Sequence, residues 1–475
     1  MATQLRAADA VHIYAEELGS QSKIIDVYVF DTSGARLTHA AVLEWLSARI
    51  AIVPIFRQRL RRLPGDLDYP YWDFDPFFDL AAHVSLSRFA GVGWDMLSEL
   101  LGEIVDGPVS LNRPPWELHV ITGVARVDGI PDGAAVAVLK FHHCVGDATA
   151  TVGLARALFA GESADDEGAA DATAVASRTR MLGSAVRRSP ANAVRLASGL
   201  TQLRKDTRTI AEAADRGEVV PPQRTWPVTR FNRMLTSSTA IELVRFDLAA
   251  VDEIRAAVPG ATVNDVALSV IGGALRAYLG ETGELPDTSL GARVPRSVRS
   301  LQSSDAGNQF VVLSVNLHTD VADPLQRLRE VFLSAQAEKR RLEHPAVLRT
   351  ESVLGEVPAP YLKAAMKADA RAVVARADAE VPGGNTLVSN VARGAGKDLH
   401  FCSAPAVDAF GVLPVADGAG VSHFVASMAN RVTITVTADR ELLPDLDRYV
   451  GILRDSFDEL ARGCGVDRQI SVETA

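Results

Sequence analysis

The sequence predicts a two-domain α/β protein, on three observations. Strand-like and helical patterns alternate from the first residues onward, and both halves of the chain mix the two types at similar size. A small, acidic segment without apolar periodicity, residues 161–179, lies between the halves and is typical of a crossing linker. The length of 475 residues also exceeds what one domain of roughly 100–200 residues accounts for.

The first domain is predicted over residues 1–160. Its strand at 116–122 and the strand at 134–141 enclose a glycine-rich turn and are expected to form a β-hairpin. The proline-rich and aromatic stretch 63–78 is expected to be an ordered loop. In order, the predicted elements are a helix at 3–18, a strand at 23–31, helices at 39–50 and 94–104, the two hairpin strands, and a helix at 148–159.

Residues 161–237 are predicted to be a crossover linker with helices, and residues 238–475 to be the second domain. Basic and apolar residues recur at helical spacing over 180–217, and the consecutive prolines that follow exclude a helix. The second domain is predicted to contain a strand at 240–248, helices at 249–257 and 263–279, a strand at 310–317, helices around 323–342 and 358–378, four further strands, and a helix at 446–461.

Composition excludes several classes of protein. With 47% apolar and 23% charged residues the chain is not intrinsically disordered. A net charge of −10 disfavours a nucleic-acid binder, which needs a dominant basic surface. The cysteines, Cys144, Cys402 and Cys464, are odd in number and widely spaced, so a disulfide framework is not expected and the chain is predicted to be cytoplasmic. Because no stretch reaches about 18 uninterrupted apolar residues, contact with a membrane is expected to be peripheral.

The sharpest motif is the run from His142 to Asp147, which directly follows the buried-looking strand 134–141. An imidazole titrates near neutral pH and can serve as a general base, while a carboxylate on the same loop can fix its geometry. The alternative is a pair of structural histidines, with Asp147 as the N-cap of the next helix.

Two other chemistries are disfavoured by the same residues. Adjacent histidines point to opposite sides of an extended backbone, and neither an HExxH pattern nor a cysteine cluster accompanies them, so no metal is expected. Cys144 could be a nucleophile beside His143, but apolar Val145 follows it and no independent thiolate-activating feature is visible, so it is expected to pack in the core.

Over most of its length the order of motifs resembles the bacterial wax ester synthase/acyl-CoA:diacylglycerol acyltransferases. That family shares an HHxxxDG signature with CoA-dependent acyltransferases such as chloramphenicol acetyltransferase. The residues that carry the resemblance are Asp9 of the opening helix, Pro114, Pro115 and Trp116 of a proline-leucine-tryptophan motif, His142, His143 and Asp147 of the signature, Asn264 and Asp265 of an Asn-Asp motif, and the later segments VPRSVR, AGNQF and LVSNV.

The chain departs from the family pattern at three places. Ala148 replaces the last glycine of the signature, Pro115 replaces a leucine, and Ala392 and Arg393 follow the SNV segment in place of proline and glycine. These departures bear on the range of substrates.

The resemblance implies a chloramphenicol acetyltransferase-like fold with mixed sheets and a tunnel between the domains. It implies acyl transfer from acyl-CoA to diacylglycerol or a long-chain alcohol, with His143 as general base and no covalent acyl-enzyme. His142 would pack against or orient its neighbour, and Asp147 would hold the loop through an arginine. The residues expected to bind substrate are Trp116, Gly146, Asn264 and Asp265; Trp116 in the core and Asn264 as a helix cap are the alternatives.

No cofactor is expected beyond acyl-CoA as co-substrate, and the other partners are a hydrophobic alcohol and a membrane or lipid-droplet surface. Cationic clusters that could meet the CoA phosphates, or be solvated faces, are Arg293, Arg296 and Arg299; Lys339, Arg340 and Arg341; and Arg57, Arg59, Arg61 and Arg62. The rival functions are another CoA-dependent or condensation-type acyltransferase, and a non-catalytic homologue that binds lipid or CoA.

Overall fold

The computed structural model describes residues 3–32, 37–51, 53–160, 178–223, 225–236, 238–300, 307–351, 357–376 and 381–466. The strands are β1 (Thr3–Gln4), β2 (Lys23–Phe30), β3 (Gln58–Arg61), β4 (Tyr71–Phe74), β5 (Val84–Arg88), β6 (Trp116–Val124), β7 (Ala134–His142), β8 (Thr225–Trp226), β9 (Thr239–Asp247), β10 (Gly291–Ser297), β11 (Phe310–Asn316), β12 (Val381–Pro382), β13 (Thr386–Gly394), β14 (His400–Phe401), β15 (Ala404–Val412), β16 (Val421–Met428) and β17 (Arg431–Asp439).

The helices are α1 (Ala7–Glu16), α2 (His39–Ile50), α3 (Trp94–Asp106), α4 (Ala148–Phe159), α5 (Arg178–Asp215), α6 (Leu248–Ala256), α7 (Val263–Glu281), α8 (Pro324–Glu343), α9 (Pro345–Glu351), α10 (Ala359–Arg376) and α11 (Leu446–Gly463). Short 3-10 helices span Pro54–Arg57, Pro64–Asp66, Leu80–His83, His143–Val145 and Arg230–Asn232. Within the described residues, no helix is long and apolar enough to cross a membrane.

The first sheet has the strand order β14-β15-β2-β7-β6-β5. Its neighbours are antiparallel except β5 and β6, which run parallel. All residues of β2 and β7 are buried, as expected for near-continuous apolar strands covered on both faces. Helices α2 and α4 pack on one face and α3 on the other, where Leu97 and Leu101 also meet Ile241 of β9.

The second sheet has the order β11-β10-β13-β16-β17-β9. Strand β13 runs parallel to both of its neighbours and the other pairs are antiparallel, so this sheet is mixed as well. Helices α6, α7, α8 and α11 cover it and form the largest apolar core. The predicted α/β fold with two mixed sheets is confirmed.

The division into domains is less linear than the sequence suggests. Strands β14 and β15 belong to the second half of the chain, but β15 pairs with β2 in the first sheet, with Phe410 opposite Val27. Helix α5 accounts for much of the predicted linker, whereas residues 161–177 lie outside the described residues. The predicted boundaries at 160 and 237 therefore stay predictions.

Strand β10 is absent from the predicted elements. Arg293, Pro295 and Arg296 interrupt the apolar alternation by which a strand is recognised, and proline also removes a hydrogen-bond donor from the ladder. The strand forms because antiparallel pairing with β11 and parallel pairing with β13 supply its partners. It matters here because β10 borders the space between the two sheets.

Candidate active site

The histidine motif forms a tight connection between a buried strand and a helix. Strand β7 ends at His142, a 3-10 turn spans His143–Val145, and α4 begins at Ala148. Asp147 is the N-cap of α4, where its Oδ1 accepts a hydrogen bond from the main-chain N–H of Ala150 at 3.0 Å. The sequence dictates this arrangement, since a short acidic side chain satisfies an otherwise unpaired donor of the first helical turn.

Asp147 also holds the opposite half of the chain. Its Oδ1 accepts from Arg299 Nη2 at 2.9 Å, and its Oδ2 accepts from the main-chain N–H of Gln309 at 3.0 Å. Arg299 donates in addition to the carbonyl of Gly307 at 2.6 Å. Arg299 is therefore the arginine that faces Asp147, which the sequence alone could not identify.

Two glycines let the histidine loop and the 307–309 segment touch backbone to backbone. A Cβ on Gly146 would lie 2.6 Å from the Cβ of Ala150, and one on Gly307 would lie 2.6 Å from the carbonyl oxygen of Val145. A side chain at Gly307 would force the two segments apart, whereas one at Gly146 would collide with the first turn of α4. Gly146 therefore packs against the second half of the chain, and it is not among the residues that line the cavity described below.

Asn308 joins three elements at this contact. Its side-chain amide donates to Asp9 of α1 and to the main-chain carbonyl of His143, both at 2.8 Å. Asp9 also accepts from the main-chain N–H of Asn308 at 2.7 Å. Burial raises the pKa of the Asp9 carboxyl, while the hydrogen bonds from Asn308 oppose that change.

A cavity of about 350 Å³ lies between the two sheets, with His143 in its wall. The first sheet contributes Ile24 and Ile25 of β2 and the end of β15. The second sheet contributes residues from β10, β11, β13 and β16: Arg293, Pro295, Ser297, Phe310, Val312, Leu387, Ser389, Asn390, Val391 and Phe424. The cavity is mainly apolar with a few polar groups, which suits an acyl chain and a small reactive head.

The imidazole of His143 is the titratable ring in that wall. It stacks on His12 of α1, and Phe310 lies 5.8 Å away between ring centres. Its Nδ1 is buried and has no hydrogen-bond partner among the described residues. Burial lowers the pKa of His143 to about 4, so the ring is neutral at neutral pH and can accept a proton.

His142 and Cys144 face away from the cavity. His142 is fully buried; its Nδ1 accepts from the main-chain N–H of Cys144 at 3.1 Å, and its Nε2 lies 3.3 Å from a carboxylate oxygen of Glu16. The Cys144 side chain is 1% exposed, and burial raises the pKa of its thiol. A protonated, enclosed thiol is a poor nucleophile.

The remaining residues expected to bind substrate do not line the cavity. Trp116 is buried in the first core, where its Nε1 donates to the carbonyl of Phe56 at 2.9 Å. Asp265 caps α7 by accepting from the main-chain N–H of Thr262 at 2.9 Å, and Asn264 is the second residue of that helix. The N-cap of α7 is Thr262, so the alternative of Asn264 as the helix cap is wrong; the Asn264 Oδ1 is buried without a hydrogen-bond partner among the described residues. A role in substrate binding stays a prediction for all three residues.

Most of the cationic side chains have partners. Arg59, Arg61 and Arg62 lie in ion-pair range of Asp75, Asp73 and Asp66. Arg296 donates to the carbonyl of Lys339 at 3.3 Å. Arg293 lies in the cavity wall, and its Nε has no hydrogen-bond partner among the described residues.

Sequence reasoning missed His12, which no pattern distinguishes from an ordinary helical residue. Asn308 could have been predicted as a site residue, because it lies in the AGNQF segment that the resemblance identified. In the described part of the chain, no three histidine, cysteine or acidic side chains are grouped so that they could hold a metal ion.

Comparison with known proteins identifies one family over most of the chain. Residues 5–267 match the model of the wax ester synthase/diacylglycerol acyltransferase catalytic domain, and residues 306–461 match that of the WS/DGAT C-terminal domain. Two Mycobacterium tuberculosis (strain ATCC 25618 / H37Rv) proteins that carry diacyglycerol O-acyltransferase names are similar. One is 28% identical over 474 residues, with 96% of each chain covered, and the other, "Probable diacyglycerol O-acyltransferase tgs2", is 27% identical over 427 residues, with 89% of this chain and 90% of that one covered.

Solved structures are similar over nearly the full length. The wax ester synthase/diacylglycerol acyltransferase from Marinobacter aquaeolei VT8 is 20% identical, with a TM-score of 0.64 and coverage of 98% of this chain and 100% of that one. The starter condensation domain of rhizomide synthetase RzmA, solved with C8-CoA and Leu-SNAC, is 14% identical, with a TM-score of 0.54 and coverage of 97% and 94%. At these identities the structures establish the fold.

Proposed function

Because the chain belongs to the wax ester synthase/diacylglycerol acyltransferase family and is an acyltransferase of that type, we propose that it transfers a fatty acyl group from acyl-CoA to diacylglycerol or a long-chain alcohol. The observation that carries the proposal is the position of His143, a neutral imidazole in the wall of an apolar cavity between the two sheets. The products are triacylglycerol or a wax ester, together with free CoA.

His143 acts as the general base. It takes the proton from the acceptor hydroxyl as that oxygen attacks the thioester carbonyl, and the carbon–sulfur bond then breaks. The same proton passes from the imidazolium to the leaving CoA thiolate, so the enzyme returns to its starting state. Such proton transfer contributes roughly 10²–10⁴ to the rate.

The acyl group moves directly between the two substrates. Cys144, the nearest thiol in sequence, is enclosed and protonated, and it does not line the cavity. Bringing both substrates to one base supplies the proximity that a covalent intermediate would otherwise provide. Arg299 keeps Asp147 paired, so Asp147 fixes the loop and leaves the proton transfer to His143.

A lipid surface is the proposed place of reaction, and helix α5 is the proposed contact. Residues 178–205 hold seven arginine or lysine residues and no aspartate or glutamate. Val186, Val194 and Leu200 of this helix are each more than half exposed. Basic residues beside exposed apolar ones favour peripheral binding to anionic lipid.

Vesicle flotation tests this contact. Wild-type protein should float with anionic phosphatidylglycerol vesicles, and salt or the change Val186→Asp/Val194→Asp should release it. Both proteins should show equal turnover with substrates dispersed in detergent. Salt-independent flotation of the variant would refute α5 as the contact.

An acceptor panel tests the reaction. Purified protein is incubated with radiolabelled decanoyl-CoA and, separately, dioleoylglycerol, hexadecanol, an alkyl amine, or no acceptor, and the lipids are separated by chromatography. Labelled triacylglycerol or wax ester is the expected product. Label only in the amide would identify a condensation-type enzyme, and acyl-CoA binding without turnover would identify a non-catalytic homologue.

A further inference from the structure

A buried ion pair joins the two sheets next to the cavity. Arg393 of β13 pairs with Asp26 of β2, and the two side chains are 1% and 0% exposed. Arg393 Nη1 also donates to the hydroxyl of Tyr28 at 3.2 Å. The mechanism proposed above uses neither charge.

Both partners adjoin the lining of the cavity. Asp26 follows Ile25, which lines it. The guanidinium carbon of Arg393 lies 5.4 Å from the ring centre of Phe424, another lining residue, and Arg393 comes two positions after Val391 on the lining strand β13. The ion pair therefore adjoins the wall of the cavity at Ile25 and Phe424.

The ring of Phe424 packs closely against the neighbouring strand β15. Gly411 pairs with Asp26 across β15 and β2, and a Cβ on Gly411 would come within 2.5 Å of the Phe424 ring. The ring thus packs flat against the backbone of β15, with Arg393 on another side.

Because Asp26 and Arg393 carry opposite charges, this part of the cavity wall is harder to displace than one made of apolar side chains. An acyl chain that pushed Arg393 away from Asp26 would leave two buried charges unpaired, which is strongly unfavourable in a low-dielectric interior. Arg393 also stands where the similar motif has a glycine, so its side chain fills space that a glycine leaves open. The cavity of about 350 Å³ is at the small end of the ~300–1,000 Å³ usual for ligand sites.

We propose that the Asp26–Arg393 ion pair limits how far an acyl chain can extend in the cavity, and so sets the longest acyl chain that this enzyme accepts. The proposal rests on the acyl transfer proposed above. It assigns the enzyme to medium-chain acyl groups, which fit the cavity up to Phe424, and places longer chains in conflict with the ion pair.

Two double variants separate volume from charge. Asp26→Ala/Arg393→Gly removes both the charges and the bulk, whereas Asp26→Leu/Arg393→Met removes the charges and keeps most of the bulk. Neither leaves a lone buried charge, so both are expected to fold, as melting curves will show. The matched control is Arg245→Met/Asp408→Leu, which removes another ion pair between the two sheets, at residues outside the cavity lining.

The measurement is kcat/KM for saturated acyl-CoAs from butyryl to stearoyl, with calorimetric binding of the same series as a second readout. Wild type and the control should prefer octanoyl- or decanoyl-CoA over stearoyl-CoA. The Ala/Gly variant should raise the stearoyl-to-octanoyl ratio by about tenfold or more, and the Leu/Met variant should raise it less.

The proposal is overturned if the Ala/Gly variant leaves the stearoyl-to-octanoyl ratio of kcat/KM unchanged. It is also overturned if wild type uses and binds stearoyl-CoA as well as octanoyl-CoA. Absence of turnover with every thioester would instead overturn the proposed reaction. In that case the binding series still decides whether the ion pair limits chain length.

Discussion

The imidazole of His12 lies parallel to that of His143, with 3.8 Å between ring centres and 9° between planes. His12 belongs to α1, so the first helix of the chain supports the proposed base from one side. Burial lowers the pKa of His12 as well, and two neutral rings can stack without charge repulsion. The relationship assigns His12 a positioning role, because it limits how the His143 ring can turn.

Substitution of His12 tests this role. His12→Ala should lower kcat by about tenfold with little change in KM, because the ring of His143 loses its support while the cavity keeps its other walls. His12→Phe should restore most of the activity, since a flat ring can stack without carrying a proton. If the phenylalanine variant is as slow as the alanine variant, His12 takes part in proton transfer itself.

The pH dependence of kcat/KM should report the low pKa of His143. The neutral imidazole is the basic form, so activity is present above its pKa and is lost as pH falls through it. With a pKa of about 4, the acid limb should lie well below the ordinary 6.5. Circular dichroism at each pH separates this limb from acid unfolding. An acid limb centred at 6.5 or higher would show that another group controls the reaction.

The pair between Asp147 and Arg299 should be measurable as a coupling energy. Asp147→Asn, Arg299→Met and the double variant are compared by urea unfolding. We expect a coupling of about 1–2 kcal/mol in the free energy of unfolding, reduced by solvent because the Arg299 side chain is 33% exposed. Additivity within about 0.3 kcal/mol would mean that the two residues stabilise the fold independently.

Cys144 should be dispensable for chemistry. Cys144→Ala and Cys144→Ser should keep activity within a few fold, although the buried serine hydroxyl is expected to cost about 1–3 kcal/mol of stability if it finds no partner. Intact-protein mass spectrometry after mixing wild type with acyl-CoA alone should show no added acyl mass. A stable adduct on Cys144 would replace direct transfer by a thioester intermediate.

Local signals predicted the parts of the fold and site that depend on nearby residues. A few residues suffice to predict the apolar runs of β2 and β7 and the cap at Asp147. The segment that contains Asn308 was identified by its resemblance to the family. Contacts between distant segments could not be predicted in this way. Arg299 lies 152 positions from Asp147 in the chain, and Arg393 lies 367 positions from Asp26. Strand β15 joins the first sheet for the same reason, because pairing with β2 depends on the whole topology and not on its own sequence.

Turnover by purified His143→Ala tests the central claim most directly. Release of CoA thiol from decanoyl-CoA with dioleoylglycerol or hexadecanol is compared for wild type, His143→Ala and His142→Ala, with melting curves and acyl-CoA binding for each. We expect His143→Ala to lower kcat by at least about 10² while it stays folded and binds acyl-CoA. His142→Ala should act mainly through stability, because its ring is buried away from the cavity. Equal turnover of wild type and folded His143→Ala would contradict the account.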